Sequence, residues 1–336
     1  MIRVYTRLAS AVALVAMFLP IAKATAQQQV PAVPAAPSAM APAPPAAAPA
    51  PEVVFPKTSP EFFTAASPTR DVIDEFFKTS WGYDPNRVWQ IQAIMKTPVE
   101  GVSKVVVLVG DKSGKQKIAA VQFFVMPDGK HIVAGDEILP FGAHPYADSR
   151  AELQQKADGP YRGQTAKDLE LVEFADFQCP HCKDAQANMD KLLVDFPKAR
   201  VVFQNYPLAR IHPEAVTAAE YGVCVNKLGG SDAFFRYAQA VFDGQEGLAT
   251  KDGATLTLNS AVTKAGLDPV KVAACSSTPE TATTVENSVK LAQDLNVLET
   301  PTLMVNGRQV PIGGLPYETL KKIIEYQAQL DGVAAQ

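Results

Sequence analysis

The sequence predicts an α/β protein in two folded parts: a small α+β domain, then a larger α/β domain with an all-helical insertion. Three observations predict it. A Pro- and Ala-rich tract sets off the N-terminus, β-rich runs bounded by turn residues dominate up to about residue 141, and strands mixed with helices take over beyond residue 165.

Residues 1–26 read as a cleavable secretory signal, because Arg3 and Arg7 precede an apolar stretch from Ala9 to Leu19 and the small-residue site Ala24-Thr25-Ala26. The stretch is shorter than the roughly 20 apolar residues of a spanning helix. An uncleaved anchor is the alternative reading, and a soluble periplasmic protein is the expectation. Without Arg3, Arg7 and Lys23, 28 basic residues face 35 acidic ones, a net charge of −7 that argues against nucleic acid as a partner. The four cysteines all follow residue 26 and can make two pairs, redox or structural, where disulfides persist.

Residues 27–51 are almost wholly Pro, Ala and Gln, too poor in large apolar groups to offset the entropy of ordering. They read as a semi-rigid linker, extended at ~3.1 Å per residue.

Residues 52–145 form the predicted α+β domain. Val72, Ile73, Phe76 and Phe77 fall at helical spacing within 71–78, and residues 87–96, 102–110 and 115–126 are β-rich. The turn tracts Gly110-Asp111-Lys112-Ser113-Gly114 and Pro127-Asp128-Gly129 predict an antiparallel meander on one helix. The domain has no cysteine, and His131 and His144 read as surface residues without partners.

Residues 146–164 read as a connector, helical to about 155, and the second domain spans 165–332. Its strands are 168–174, 200–205 and 301–305, with a helix at 180–196 between the first two. Helices at 213–225, 232–242, 254–265, 268–274 and 281–295 form the insertion, about 212–296. A hairpin through Asn306-Gly307 and a helix at 317–330 close the domain.

The chemistry concentrates in Phe174-Ala175-Asp176-Phe177-Gln178-Cys179-Pro180-His181-Cys182, a strand running into Cys-x-x-Cys at a helix start. A cysteine there faces unpaired N–H groups and the positive end of the helix dipole, which favour the thiolate. Cys179 is therefore the expected nucleophile. Pro180 suits the first helical turn, where its missing N–H costs nothing, and His181 adds a donor and, when protonated, a charge.

Cys-Pro-His-Cys after an aromatic-rich strand resembles the DsbA oxidases, and Phe-x-Asp-Phe-x-Cys-Pro resembles their wider thioredoxin-fold relatives; the resemblance covers about 168–330. It implies a thioredoxin fold. It also implies that Glu173, on the strand beneath the cysteines, relays a proton to the buried thiol; a strand-end carboxylate paired with a lysine is the alternative. Thr300-Pro301 matches the cis-proline loop that faces the disulfide in such proteins, where a proline without N–H leaves the preceding backbone free for a substrate strand. An ordinary strand-start proline is the other reading. Cys224 and Cys275, both in the insertion, resemble the structural disulfide of some DsbA-like helical domains, the alternative being two buried free thiols. His212-Pro213 after Tyr206-Pro207-Leu208 also resembles that family, with a structural role.

Residues 97–136 resemble, more weakly, the N-terminal domain of the DsbC and DsbG isomerases, which implies homodimerisation through residues 52–145. The motif thus looks like an oxidase and the domain order like an isomerase. The resemblance implies a cofactor-free periplasmic thiol-disulfide oxidoreductase that forms, reduces or isomerises disulfides. Its expected partners are cysteine-containing exported proteins and a membrane redox protein. The competing class is a non-enzymatic zinc or copper protein built on the same cysteines. Against it, no second Cys-x-x-Cys or His pair lies at zinc-site spacing.

Overall fold

The computed structural model describes residues 53–335, so the predicted signal segment and the linker lie outside the described residues. Helix α1 (Arg70–Trp81) starts where the Thr69 hydroxyl accepts from the Val72 N–H, and its apolar face buries Ile73, Phe76 and Phe77. Those residues pack on an antiparallel sheet of β1 (Arg87–Lys96), β2 (Ser103–Asp111), β3 (Ala119–Val125), β4 (His131–Ala134) and β5 (Glu137–Pro140), ordered as in the chain. Alternate residues of β2, Val105 and Val107, fill the core, as a half-buried sheet requires. Strands β4 and β5 are too short for their period to be read from sequence. His131 is exposed, yet its Nδ1 lies 2.6 Å from Asp128 Oδ2, so it has the partner that sequence did not reveal.

Helix α2 (Ala147–Lys156) is not a free connector, because Leu153 packs in the core of the second domain. That domain also begins earlier than residue 165. Strand β6 (Tyr161–Gly163) pairs with β8 (Arg200–Asn205), and a three-residue strand carries no periodicity that sequence could show.

The second sheet has the order β10-β9-β7-β8-β6, with β7 (Glu170–Ala175) at its centre, parallel to β8 and antiparallel to β9 (Thr302–Val305). Strand β10 (Arg308–Pro311) completes the hairpin. Every residue of β7 is buried, and successive side chains go to opposite faces. Leu171 meets α3 (Pro180–Asp195) and α8 (Tyr317–Leu330), whereas Val172 and Phe174 meet α2 and α7 (Pro279–Asp294). This is the three-layer thioredoxin arrangement.

The insertion comprises α4 (Ala215–Asp243), α5 (Lys251–Lys264), α6 (Pro269–Ser276) and α7. Two helices expected at 213–225 and 232–242 run on as α4 across a kink at Gly230, whose φ of 75° and ψ of −179° suit glycine alone. Cys224 and Cys275 are joined as a disulfide between α4 and α6, with Cα atoms 5.9 Å apart. The first domain is tied to the second where α1 ends. Arg308 donates to the Thr79 carbonyl at 3.3 Å and to the Ser80 carbonyl, and the Tyr326 hydroxyl donates to the Lys78 carbonyl at 2.7 Å.

Candidate functional site

Strand β7 delivers Asp176, Phe177 and Gln178 as a loop above the sheet, and this loop turns directly into α3 with Cys179 as its N-cap and Pro180 as its first residue. Cys182 lies one turn further and is fully buried, whereas Cys179 keeps 5% of its surface exposed. Both are free thiols. Of the two, only Cys179 retains any surface.

The two sulfurs differ in proton affinity as strongly as in access. The Cys182 thiol donates a hydrogen bond to the Cys179 sulfur and, with help from Thr300 and the backbone N–H groups of Cys182 and His181, outweighs burial and lowers the Cys179 pKa to about 5. Burial, with the Cys179 sulfur beside it, pushes Cys182 far above the ordinary thiol range. One thiolate and one thiol are the stable pair. His181 is exposed on the first helical turn, and its backbone N–H is among the groups that lower the pKa of the Cys179 sulfur.

Thr300 and Pro301 meet the cysteines from the start of β9. The Thr300–Pro301 bond is cis, and the Cys179 thiol lies 3.6 Å from the Thr300 carbonyl. Gly313 backs this loop, since a Cβ there would touch Pro301 and the His181 Cβ.

Glu173 shares the face of β7 that Leu171 presents to α3. Its carboxylate is buried, accepts from Gln186 Nε2 at 3.0 Å, and is pushed up to about 7 chiefly by desolvation. No lysine pairs with it among the described residues. Gln186 also donates to the Cys182 carbonyl at 3.1 Å, so one amide joins the carboxyl to the buried cysteine's turn. Sequence reasoning passed over Gln186, although its i+4 spacing from Cys182 places the two on one helix face.

Three further residues brace the loop. Asp176, three residues before Cys179 in the motif, accepts from Gln178 N and Leu208 N at 2.7 Å each and lies 2.8 Å from His212 Nδ1. Gln245 Nε2 donates to the carbonyls of Phe177 and Cys179 at 2.9 and 2.8 Å. Gln178 Nε2 donates to the Leu248 carbonyl at 2.9 Å. Gln245 lies 66 residues from Cys179, and nothing in a local pattern marks such a contact. Around them, Phe177 stacks on Phe203 at 5.2 Å and packs with Phe234, Tyr237 and Phe242.

Among the described residues, no cluster of three or more His, Cys, Asp or Glu is placed to hold a metal ion. Nor is any helix there long and apolar enough to cross a membrane.

A family model described as Thioredoxin matches residues 155–326. The chain is 30% identical over 148 residues to the Na(+)/H(+) antiporter NhaA 3 of Salinispora tropica, a match covering 44% of this chain and 22% of that protein. It thus spans about a fifth of the length of the curated relatives it matches. Among solved structures it is similar to a thioredoxin-like oxidoreductase from Silicibacter pomeroyi, at TM-score 0.46 and 25% identity over 54% of this chain and 98% of that one. It is also similar to Proteus mirabilis ScsC in a transitional conformation, at TM-score 0.45 and 22% identity over 56% of this chain and 78% of that one.

Proposed function

The chain belongs to the thioredoxin family whose model spans residues 155–326, and on that premise we propose that it is a DsbA-like thiol-disulfide oxidoreductase working through Cys179 and Cys182. The observation that carries the reading is the asymmetry of the pair: at a helix N-terminus, the less buried sulfur is held down to about 5, one turn from a wholly buried sulfur held up. A low-pKa thiol is both a thiolate at neutral pH and a good leaving group.

In the oxidising direction, a substrate thiolate attacks the Cys179 sulfur of the disulfide. The sulfur–sulfur bond breaks, its electron pair goes to Cys182, and Cys182 takes up a proton. A second substrate thiolate then displaces Cys179, leaving the substrate disulfide and the reduced pair. Isomerisation uses the same nucleophile on an existing substrate disulfide. No cofactor enters either cycle.

The proposed substrates are cysteine-containing exported proteins, the proposed site of action is the periplasm, and a membrane protein would reset the pair. Two features support export: the signal-like segment at residues 1–26 and the Cys224–Cys275 disulfide, a bond that persists in oxidising compartments. Refolding of reduced and of scrambled ribonuclease, run in parallel, tests the reading. Wild-type protein accelerates at least one of the two reactions, Cys179→Ser loses the activity, and Cys182→Ser accumulates mixed disulfides. A wild-type protein inactive in both assays, and holding one equivalent of tightly bound zinc or copper, would replace this reading with the metal-binding one.

A further inference from the structure

We propose that Asp176 and His212 are a positioning pair through which the helical insertion sets the presentation of the Cys182 sulfur, and so the redox poise of the site; this rests on the dithiol reading above. Asp176 is the residue where the two halves of the second domain meet. Toward the cysteines, its backbone N–H points at the Cys182 sulfur at 3.4 Å and its carbonyl accepts from the Cys179 N–H at 3.1 Å. Toward the insertion, its wholly buried side chain reaches the segment that leads into α4.

The carboxylate uses both oxygens. Oδ1 accepts from Gln178 N at 2.7 Å, which folds the loop back on itself ahead of Cys179. Oδ2 accepts from Leu208 N at 2.7 Å and pairs with His212 Nδ1 at 2.8 Å. Among the described residues no lysine or arginine pairs with Asp176, so His212 is the one side chain that neutralises or bonds it. A buried carboxylate stays put only while its acceptor sites are filled. Removing the imidazole therefore releases Oδ2 from one of its two donors and lets the 176–178 turn shift.

That shift is felt at Cys182. When a substrate thiolate attacks Cys179, the electron pair of the broken bond arrives on the Cys182 sulfur, which then takes up one proton. The Asp176 N–H is a donor directed at that atom. At 3.4 Å the bond weakens with small displacements of the turn, and a weaker bond disfavours the reduced form. The imidazole bonds the Asp176 carboxylate and the sulfur meets the Asp176 N–H, so His212 acts through position.

The test is the equilibrium of the full-length protein with reduced and oxidised glutathione. His212→Leu is expected to move the equilibrium toward the disulfide by about 5-fold or more. His212→Asn keeps an N–H donor at the position of Nδ1 and is expected to stay within about 2-fold of wild type. An unchanged constant in His212→Leu, or an equal shift in both variants, overturns the inference. A measurement without variants guards against misfolding: the Nδ1–H proton resonance of His212 in the native protein is expected to differ between dithiol and disulfide forms, and identical resonances also overturn it. If wild type fails to exchange with glutathione at all, the dithiol reading falls first and this inference with it.

Discussion

At Cys179, the low proton affinity of the sulfur leads to one measurable property. With a pKa of about 5, the sulfur is a thiolate across the neutral range while Cys182 keeps its proton, so reduction consumes two electrons and one proton instead of two. The reduction potential is expected to change by about 30 mV per pH unit between roughly pH 5 and 8, and by about 60 mV per unit below that. A slope near 60 mV throughout would show that Cys179 is not a thiolate there. A depressed pKa stabilises the folded dithiol form fully above the unfolded value of about 8.5, and that stabilisation is lost as pH falls through 5. Thiolate absorbance titrated against pH reads the same group directly.

Glu173 has the opposite sign. Its pKa of about 7 against an unfolded value near 4.3 means that folding binds a proton between those two pH values. Stability is therefore highest at low pH, falls as pH rises toward 7, and stays reduced above it. Glu173→Gln removes that penalty, so its unfolding free energy from urea titration should match wild type at pH 4 and exceed it at pH 8 by something on the order of 2 kcal/mol. The same substitution tests the proposed proton-relay role of the carboxyl that Gln186 links to the Cys182 turn. Turnover at pH 7 is expected to fall by about 10-fold or more. A variant with unchanged stability and unchanged turnover would return Glu173 to a purely structural place.

Single elements differ in how far the sequence exposed them. Strand β7 and helix α3 were legible because Cys179-Pro180 marks a helix start and because residues 168–174 are mostly apolar. Strand β6 and the β4–β5 hairpin were not, since three or four residues carry no period. The α4 kink was hidden for another reason: Gly229-Gly230 reads as a break in sequence, whereas the chain resumes helical geometry at once. Of the site, the cysteines, Glu173, Thr300 and Pro301 were legible from motif and order. Gln245 and the Asp176–His212 contact were not, because the insertion brings them in from 36 to 66 residues away. The insertion has its own staple. The Cys224–Cys275 bond closes a loop of 51 residues, worth about 4 kcal/mol by chain-entropy reasoning. The double serine variant should lose about that much in urea unfolding and keep most exchange activity. A change below about 1 kcal/mol would mean the unfolded chain is already constrained there.

For the whole molecule, the placement of the first domain bears on oxidase against isomerase chemistry. The domain does not touch the cysteines; it is tied to β10 and α8, through Arg308 and Tyr326 on the carbonyls that end α1. Guanidinium donors on otherwise unpaired helix-end carbonyls make this a specific attachment. The meander leaves β1 and β5 as its two edges, and β5, paired on one side with β4, carries Ile138 at 60% exposure, an apolar side chain on an edge strand. Unpaired edges are where a second chain adds hydrogen bonds. With the resemblance of residues 97–136 to isomerase N-terminal domains, we propose on this ground a homodimer formed through residues 52–145. Two Cys179 sulfurs presented by one dimer would retain a substrate through repeated exchange, which isomerisation needs and simple oxidation does not. Sedimentation of the processed protein at micromolar concentration should therefore give twice the chain mass. Ile138→Lys should shift it toward the monomer and depress activity on scrambled substrate more than on reduced substrate. A wild type that sediments as a monomer, or an Ile138→Lys monomer that isomerises as well as the dimer, would leave the oxidase chemistry of the Cys-Pro-His-Cys pair as the default and remove the reason for the first domain's place in the cycle.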